Sequence, residues 1–394
     1  MHSSNANNSH YIHSLTPLRA IAALWVVFFH IDVSLYYRDL GALVPRTASG
    51  IFSQGYLWVD FFFLLSGFII AHVYGARLSS GNKPGAIKEY LWARFARVYP
   101  LHLFTLAALM LATPLVAHYF PSVVDDSWRT YFAWSALPAN LLFTNAMNQH
   151  VYLSWNMVSW SIGAEWWTYV AALVLVIGLW QKKLRWVIPA MLLAFAALAA
   201  LVYALPGDTL DITFDYGFFR CLCEFVLGLG VYQWYLRHWA QPWLRYDLSF
   251  LFLLAVVVCI FHYRLPDLLI IPVFILLLLA AAYNRTRVCA GLNLPALQYL
   301  GTISYSIYLM HGIWFLVFWF ALPGLKFYWV STEHSSGISS EFPLALKLSY
   351  IVIFLMLTLI SAHFSYRYIE VPGRRWFNPG AKSNALCAPA SPNA

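Results

Sequence analysis

The chain has 394 residues, 61% of them apolar, 18% aromatic and only 10% charged, with a formal net charge of +8. Soluble globular proteins carry about a quarter charged residues, so this composition excludes a sizeable soluble domain. The apolar residues instead fall in blocks long enough to cross a bilayer, which takes roughly 20 residues per helix, and the fold expected is all-α, a polytopic membrane protein.

In chain order, residues 1–13 read as a polar, disordered tail; it lacks a basic start, and the apolar stretch behind it is long enough to span, so no cleavable signal peptide is expected. Spans are predicted near 15–36, 56–75, 98–119, 159–180, 186–204, 215–236, 248–263, 266–283, 297–321 and 345–367. The first, LTPLRAIAALWVVFFHIDVSLYY, opens with Thr16 as N-cap and Pro17 at the first helical position. Residues Gly75 to Arg97 read as a basic loop, whose end, KEYLWARFARVYP, has the aromatic and basic mix of an interfacial helix. The segment YFAWSALPANLLFTNA, 16 residues around Pro138, is too short to span and reads as a re-entrant or surface helix. A later outer loop, Leu322 to Pro343, carries Glu333, His334 and Glu341. Residues 378–394 read as a second disordered tail, which leaves a membrane domain over 14–377 with no evident internal repeat.

Alternating the spans from an inner N-terminus places 17 of the 24 Lys and Arg residues on the inner side, six on the outer side, and Arg220 within a span. That bias follows the positive-inside rule and predicts ten spans with both termini cytoplasmic. The basic charge thus reports topology, and no nucleic-acid partner is expected. Five cysteines show neither paired nor metal-binding spacing, so they read as packing residues, with no disulfide framework and no metal site.

Arg19 and His30 are eleven residues apart in the first span. On a helix this is about 1100° of rotation and roughly 16 Å of rise, so both share one face. At the predicted depths, Asp60, Glu165, Arg220 and Glu224 join His30 in the outer half of the membrane, on four helices in all. Ionisable groups in hydrocarbon are costly and usually serve a function. Arg220 and Glu224 are i,i+4 neighbours and can neutralise each other as local polar support. Asp60 suits either a wetted helix end or a catalytic role. Arg19 is accounted for by positive-inside placement, or by a phosphate-bearing ligand held at the cytoplasmic face with Arg94 and Arg97, where free helical N–H groups favour an anion. An anionic carrier anchored there could place a thioester about 16 Å away, a pantetheine arm's reach, beside His30. The imidazole could then take a proton from an attacking hydroxyl, with Asp60 or Glu165 fixing its tautomer.

The sequence resembles the membrane-bound acyltransferase-3 family, whose bacterial members O-acylate exported and cell-surface polysaccharides. The likeness lies in LRAIAALWVVFFH, VDFFFLLSGF, RFARVYPLH, SWSIGAEWWTYV, FFRCLCEFVLGLG, LGTISYSIYLMHG and SYRYIEVPGRR, which run in family order across nearly the whole membrane domain. The resemblance implies about ten helices and transfer of an acyl group, usually acetyl from cytoplasmic acetyl-CoA, to a sugar hydroxyl on the outer side of a bacterial inner membrane. Acyl-CoA is then a co-substrate, and no further cofactor is expected. The family's Arg and His carry over to Arg19 and His30, and its glutamate to Glu165. Tyr305, Tyr308 and His311 occupy its late motif, where Tyr305 and His311 are candidate acyl-CoA contacts and His311 is equally suited to helix packing. The periplasmic esterase-like domain fused to some members has no counterpart here, so the chain is expected to act alone or with a separate partner. The outer loops are individual, so the glycan or lipid-linked saccharide acceptor is open. Competing readings are a secondary transporter or flippase for a lipid-linked sugar, which would favour repeated halves, and a non-catalytic component of a polysaccharide assembly complex.

Overall fold

The computed structural model describes residues 12–79, 84–180, 184–284, 286–333 and 342–378, and every regular element among them is helical. Ten long helices occupy the positions of the ten expected spans: α1 Leu15–Tyr37, α2 Trp58–Ser79, α3 Pro84–Tyr119, α4 Trp160–Trp180, α5 Leu184–Ala204, α6 Gly217–Leu236, α7 Asp247–Tyr263, α8 Ile270–Tyr283, α9 Ser304–Glu333 and α10 Leu344–Ser365. By length and apolarity α1, α2, α3, α5, α9 and α10 can each cross a membrane, while α7 and α8 are apolar but shorter. Helices α4 and α6, of 21 and 20 residues, carry Glu165, Arg220 and Glu224. The protein is a polytopic helical membrane protein, the architecture in which hydrocarbon leaves no backbone group unsatisfied.

Helix α2 is the centre of the bundle, packed against α6 and α4; α5 backs α6, while α1 lies against α9 and the short helix Pro295–Thr302. Two glycines set the α2–α6 crossing. A Cβ on Gly67 would lie 2.2 Å from the Phe225 carbonyl oxygen, and one on Gly228 would lie 2.1 Å from that of Leu64. Small residues of this kind let membrane helices approach backbone to backbone.

Loops gather at two ends. At the end that the charge pattern assigns to the outside, the segments around 40–56, 144–150, 205–216 and 262–267 are knit together by hydrogen bonds such as Gly50 N to His262 O and Asn148 N to Phe214 O. At the opposite end Ser14 Oγ donates to Ala281 O, and Arg77 pairs with Glu89.

Four expectations are corrected. Helix α1 begins at Leu15, ahead of the predicted Thr16 cap, and Ser14 is spent on α8 instead of capping. The region 75–97 is not a loop ending in a separate interfacial helix. Helix α2 runs on to Ser79, and α3 is continuous from Pro84 through Pro100, whose ring packs where Gly373 leaves room for it. At 36 residues, α3 is about 54 Å long and outruns a hydrocarbon core of about 30 Å. The ninth span is broken at Ile303, between Pro295–Thr302 and α9. The stretch YFAWSALPANLLFTNA, expected as one re-entrant or surface helix, holds only a 3-10 turn, Trp134–Ala136, followed by a five-residue helix, Leu137–Leu141. Most of both predicted tails, with His334, Glu341, Cys387 and the side chain of Glu333, lies outside the described residues.

Candidate active site

His30 sits two turns from the outer end of α1 and is 9% exposed. Its Nδ1 lies 2.9 Å from the Val26 carbonyl oxygen and 3.3 Å from Nε2 of His311 on α9. A carbonyl can only accept, so Nδ1 carries the proton of the neutral ring and Nε2 keeps its lone pair. The same reasoning applies to His311, whose Nδ1 lies 3.3 Å from Ile307 O, which turns its own Nε2 lone pair toward His30. The rings meet edge to face, 4.9 Å between centroids, with Phe29 and Phe315 closing two further sides.

The His30 ring forms part of the wall of a cavity of about 470 Å³ that rises to the outer loops and is lined also by Tyr56, Trp160, Asp211, Arg220 and Tyr308. Tyr308 is held by Ser161, oxygen to oxygen 2.7 Å, and packs on His311 at 5.3 Å.

In the wall of this cavity the guanidinium of Arg220 is gripped by both oxygens of Asp60, at 2.8 and 2.7 Å, and donates a third bond to Ile212 O. Both partners are at most 1% exposed. Glu224, the expected partner of Arg220, stands back at 3.9 Å. Bidentate geometry explains the choice: the planar guanidinium matches a carboxylate facing it from α2 better than one on its own helix.

On α4, Glu165 accepts from Ser66 and from Tyr169, the latter at 2.5 Å. Arg94 donates to Tyr74 at 3.1 Å and lies over the Tyr74 and Tyr169 rings. Arg97 pairs with Glu370, which also accepts from Arg374 and, at 2.5 Å, from Ser306; Tyr305 donates to Val98 O beneath the Arg97 guanidinium. Glu370 ends a π-helical turn, Tyr366–Glu370, a distortion often found at functional sites. Arg19 is half-buried on the uninterrupted α1, about 16 Å along the axis from His30.

A family description, "Acyltransferase domain", of the acyltransferase-3 type, matches residues 12–369. The chain belongs to the acyltransferase-3 family. The chain is 28% identical over 279 residues to "Acyltransferase MdmB" of Streptomyces mycarofaciens, a match covering 70% of this chain and 64% of that protein. It is 38% identical over 119 residues to "Protein 2 in picA locus" of Rhizobium radiobacter, covering 29% of this chain and 53% of the relative. The chain thus spans between half and two thirds of the curated relatives it matches. No solved structure matches it.

The fold brings His30 together with His311 and Tyr308, joins Asp60 to Arg220, and sets Arg97 over Tyr305. It does not place Asp60 or Glu165 as the carboxylate bonded to His30, because Asp60 is engaged by Arg220 and Glu165 by Ser66 and Tyr169. His311, expected either as an acyl-CoA contact or as a helix-packing residue, lies against the His30 ring. Sequence reasoning missed Glu370, though a lone carboxylate four residues before Arg374 in YIEVPGRR was a usable signal. It also missed Asp267, whose partners are remote in sequence.

Proposed function

We propose that this acyltransferase moves an acyl group, most simply acetyl, from acyl-CoA at the inner face to a hydroxyl of an exported or cell-surface glycan at the outer face of a bacterial cytoplasmic membrane. Nε2 of His30 takes the acceptor hydroxyl's proton as its oxygen attacks the thioester carbonyl carbon. The new C–O bond forms, the C–S bond breaks, and the departing thiolate recovers the proton from His30, giving an ester and a free thiol. The imidazolium formed between these steps keeps its Nδ1–H on Val26 O and His311 Nε2, the orienting role that a carboxylate fills in a hydrolase triad. Arg19, Arg94 and Arg97 are assigned to the phosphates of the donor, where guanidinium groups bind anions well. The bilayer separates the two substrates, so the helices must carry the thioester arm between them.

The observation that carries the reading is the His30 ring in the wall of the outer cavity, one nitrogen tied down and the other without a hydrogen bond among the described residues. The test uses purified protein in lipid nanodiscs with radiolabelled acetyl-CoA and envelope glycans as acceptors. Label should pass to glycan with wild type and fall at least 10²-fold with His30→Ala, in line with the ~10²–10⁴-fold worth of a general base. Equal transfer by the two proteins would remove His30 from the chemistry.

A further inference from the structure

The outer wall of the cavity is held by a carboxylate that never reaches it. Asp267, 4% exposed, precedes α8 and accepts three hydrogen bonds: from Tyr56 Oη at 2.7 Å, from Leu210 N at 2.7 Å and from Gln54 Nε2 at 3.3 Å. Tyr56 and Gln54 line the cavity, as does Thr209 beside Leu210. Because an ionised carboxylate only accepts, Tyr56 spends its one proton inward and Gln54 turns its amide nitrogen inward. What remains to these two side chains on the cavity side is mainly acceptor capacity, the phenol oxygen and the amide oxygen.

This wall adjoins the base. Gly55, between the two residues, fits against α1 only because it lacks a side chain: a Cβ there would come within 2.7 Å of Phe29 Cβ. The Phe29 ring lies 5.7 Å from the Tyr56 ring and 4.9 Å from that of His30. The cations at the same cavity are met by carboxylates. Arg46 is paired with Asp32 and Arg220 with Asp60, Arg264 and Asp211 line the wall with one charge of each sign, and Asp267 lies behind it. A surface of preset acceptors beside aromatic rings, with no excess of cations, suits an uncharged ligand rich in hydroxyl donors. Its volume of about 470 Å³ falls in the ~300–1,000 Å³ range of small-molecule sites.

Resting on the acyl-transfer reading above, we propose that Gln54 and Tyr56 form the subsite for a neutral sugar ring of the acceptor, with Asp267 as its positioning residue. The probes are methyl β-glucoside, methyl β-galactoside and methyl β-glucuronide, each titrated against purified full-length protein by thermal shift, a readout that needs no turnover. At least one neutral glycoside should stabilise the wild type in a saturable way. Its affinity should drop about tenfold in Asp267→Asn and in Tyr56→Phe, the loss expected of one well-placed hydrogen bond. Tyr56→Phe removes a single oxygen and carries the test if Asp267→Asn does not fold. In transfer assays the variants should raise the acceptor KM more than they lower kcat, with the acetyl-CoA KM unchanged. No stabilisation by either neutral glycoside, tighter binding of the glucuronide, or unaltered affinity in the variants would overturn the subsite. Binding that weakens in the variants while no glycoside is acylated would support the subsite and count against the acyl-transfer reading instead.

Discussion

A histidine inside a membrane bundle needs a partner that sets its tautomer, and at position 30 that partner is a carbonyl of its own helix plus a second histidine. His311 stabilises charge on His30 less than a carboxylate would, but it leaves no anion to be neutralised in a dry site, where an unpaired charge is expensive. Replacing His311 with Phe keeps the ring packing and removes the acceptor; kcat should fall about 10²-fold through lost alignment while the acetyl-CoA KM stays near wild type. A KM rise without a kcat loss would return His311 to the donor site. The Asp60–Arg220 pair makes a second prediction. Arg220→Met leaves Asp60 buried without its counter-charge and should cost about 3–5 kcal/mol. Asp60→Asn should cost less, because Glu224, 3.9 Å away, can inherit the guanidinium. Melting temperatures in detergent should therefore rank wild type, Asp60→Asn, Arg220→Met, and the reverse order of the two variants would deny Glu224 that role. His30, Arg220 and Asp60 stood out in the sequence because ionisable groups are rare in apolar runs. Their pairing did not, since it depends on which helix faces reach each other.

At the scale of helices, the α2–α6 crossing is what brings Asp60 and Arg220 within reach, and it depends on Gly67 and Gly228. Gly67→Val or Gly228→Val would force a side chain into a neighbouring carbonyl, an overpacking that costs 1–3 kcal/mol or more in well-packed cores. Each should lower the melting temperature and abolish transfer. Gly85→Ala, where an added Cβ meets nothing within 4 Å, should be neutral or stabilising by up to about 1 kcal/mol from helix propensity. A uniform response of all three would show that the close approach is not what limits stability. Positions of the long helices were legible because hydrophobic length is a strong local signal. The fusion of the interfacial segment into α3 and the break at Ile303 were not. Both are decided by tertiary support: Val371–Phe377 packs along α3 and lets the helix pass Pro100, and the Pro295–Thr302 helix wedges against α1, where Gly301 meets Thr16 O.

The whole molecule presents unlike chemistry at its two ends. Arginines 94, 97 and 374 gather near one end of α3, with Glu370 binding two of them, while the cavity beside His30 opens among the loops of the other. A transfer reaction supplied from both sides of a membrane requires that polarity, and the excess of basic residues on the arginine side predicts its direction. The direction is measurable with single cysteines in a background whose native cysteines are replaced. Thr209→Cys, in the cavity wall, should react with a membrane-impermeant maleimide on intact cells, and Lys88→Cys, exposed near the start of α3, only after permeabilisation. Prior labelling of Thr209→Cys should also block glycan acylation, because the adduct occupies the acceptor's space, while leaving acetyl-CoA binding intact. Labelling of position 88 from outside would invert the protein and place the arginine cluster where no acyl-CoA is found. Transfer from a cytoplasmic donor would then have no route to His30, whatever the geometry around that ring.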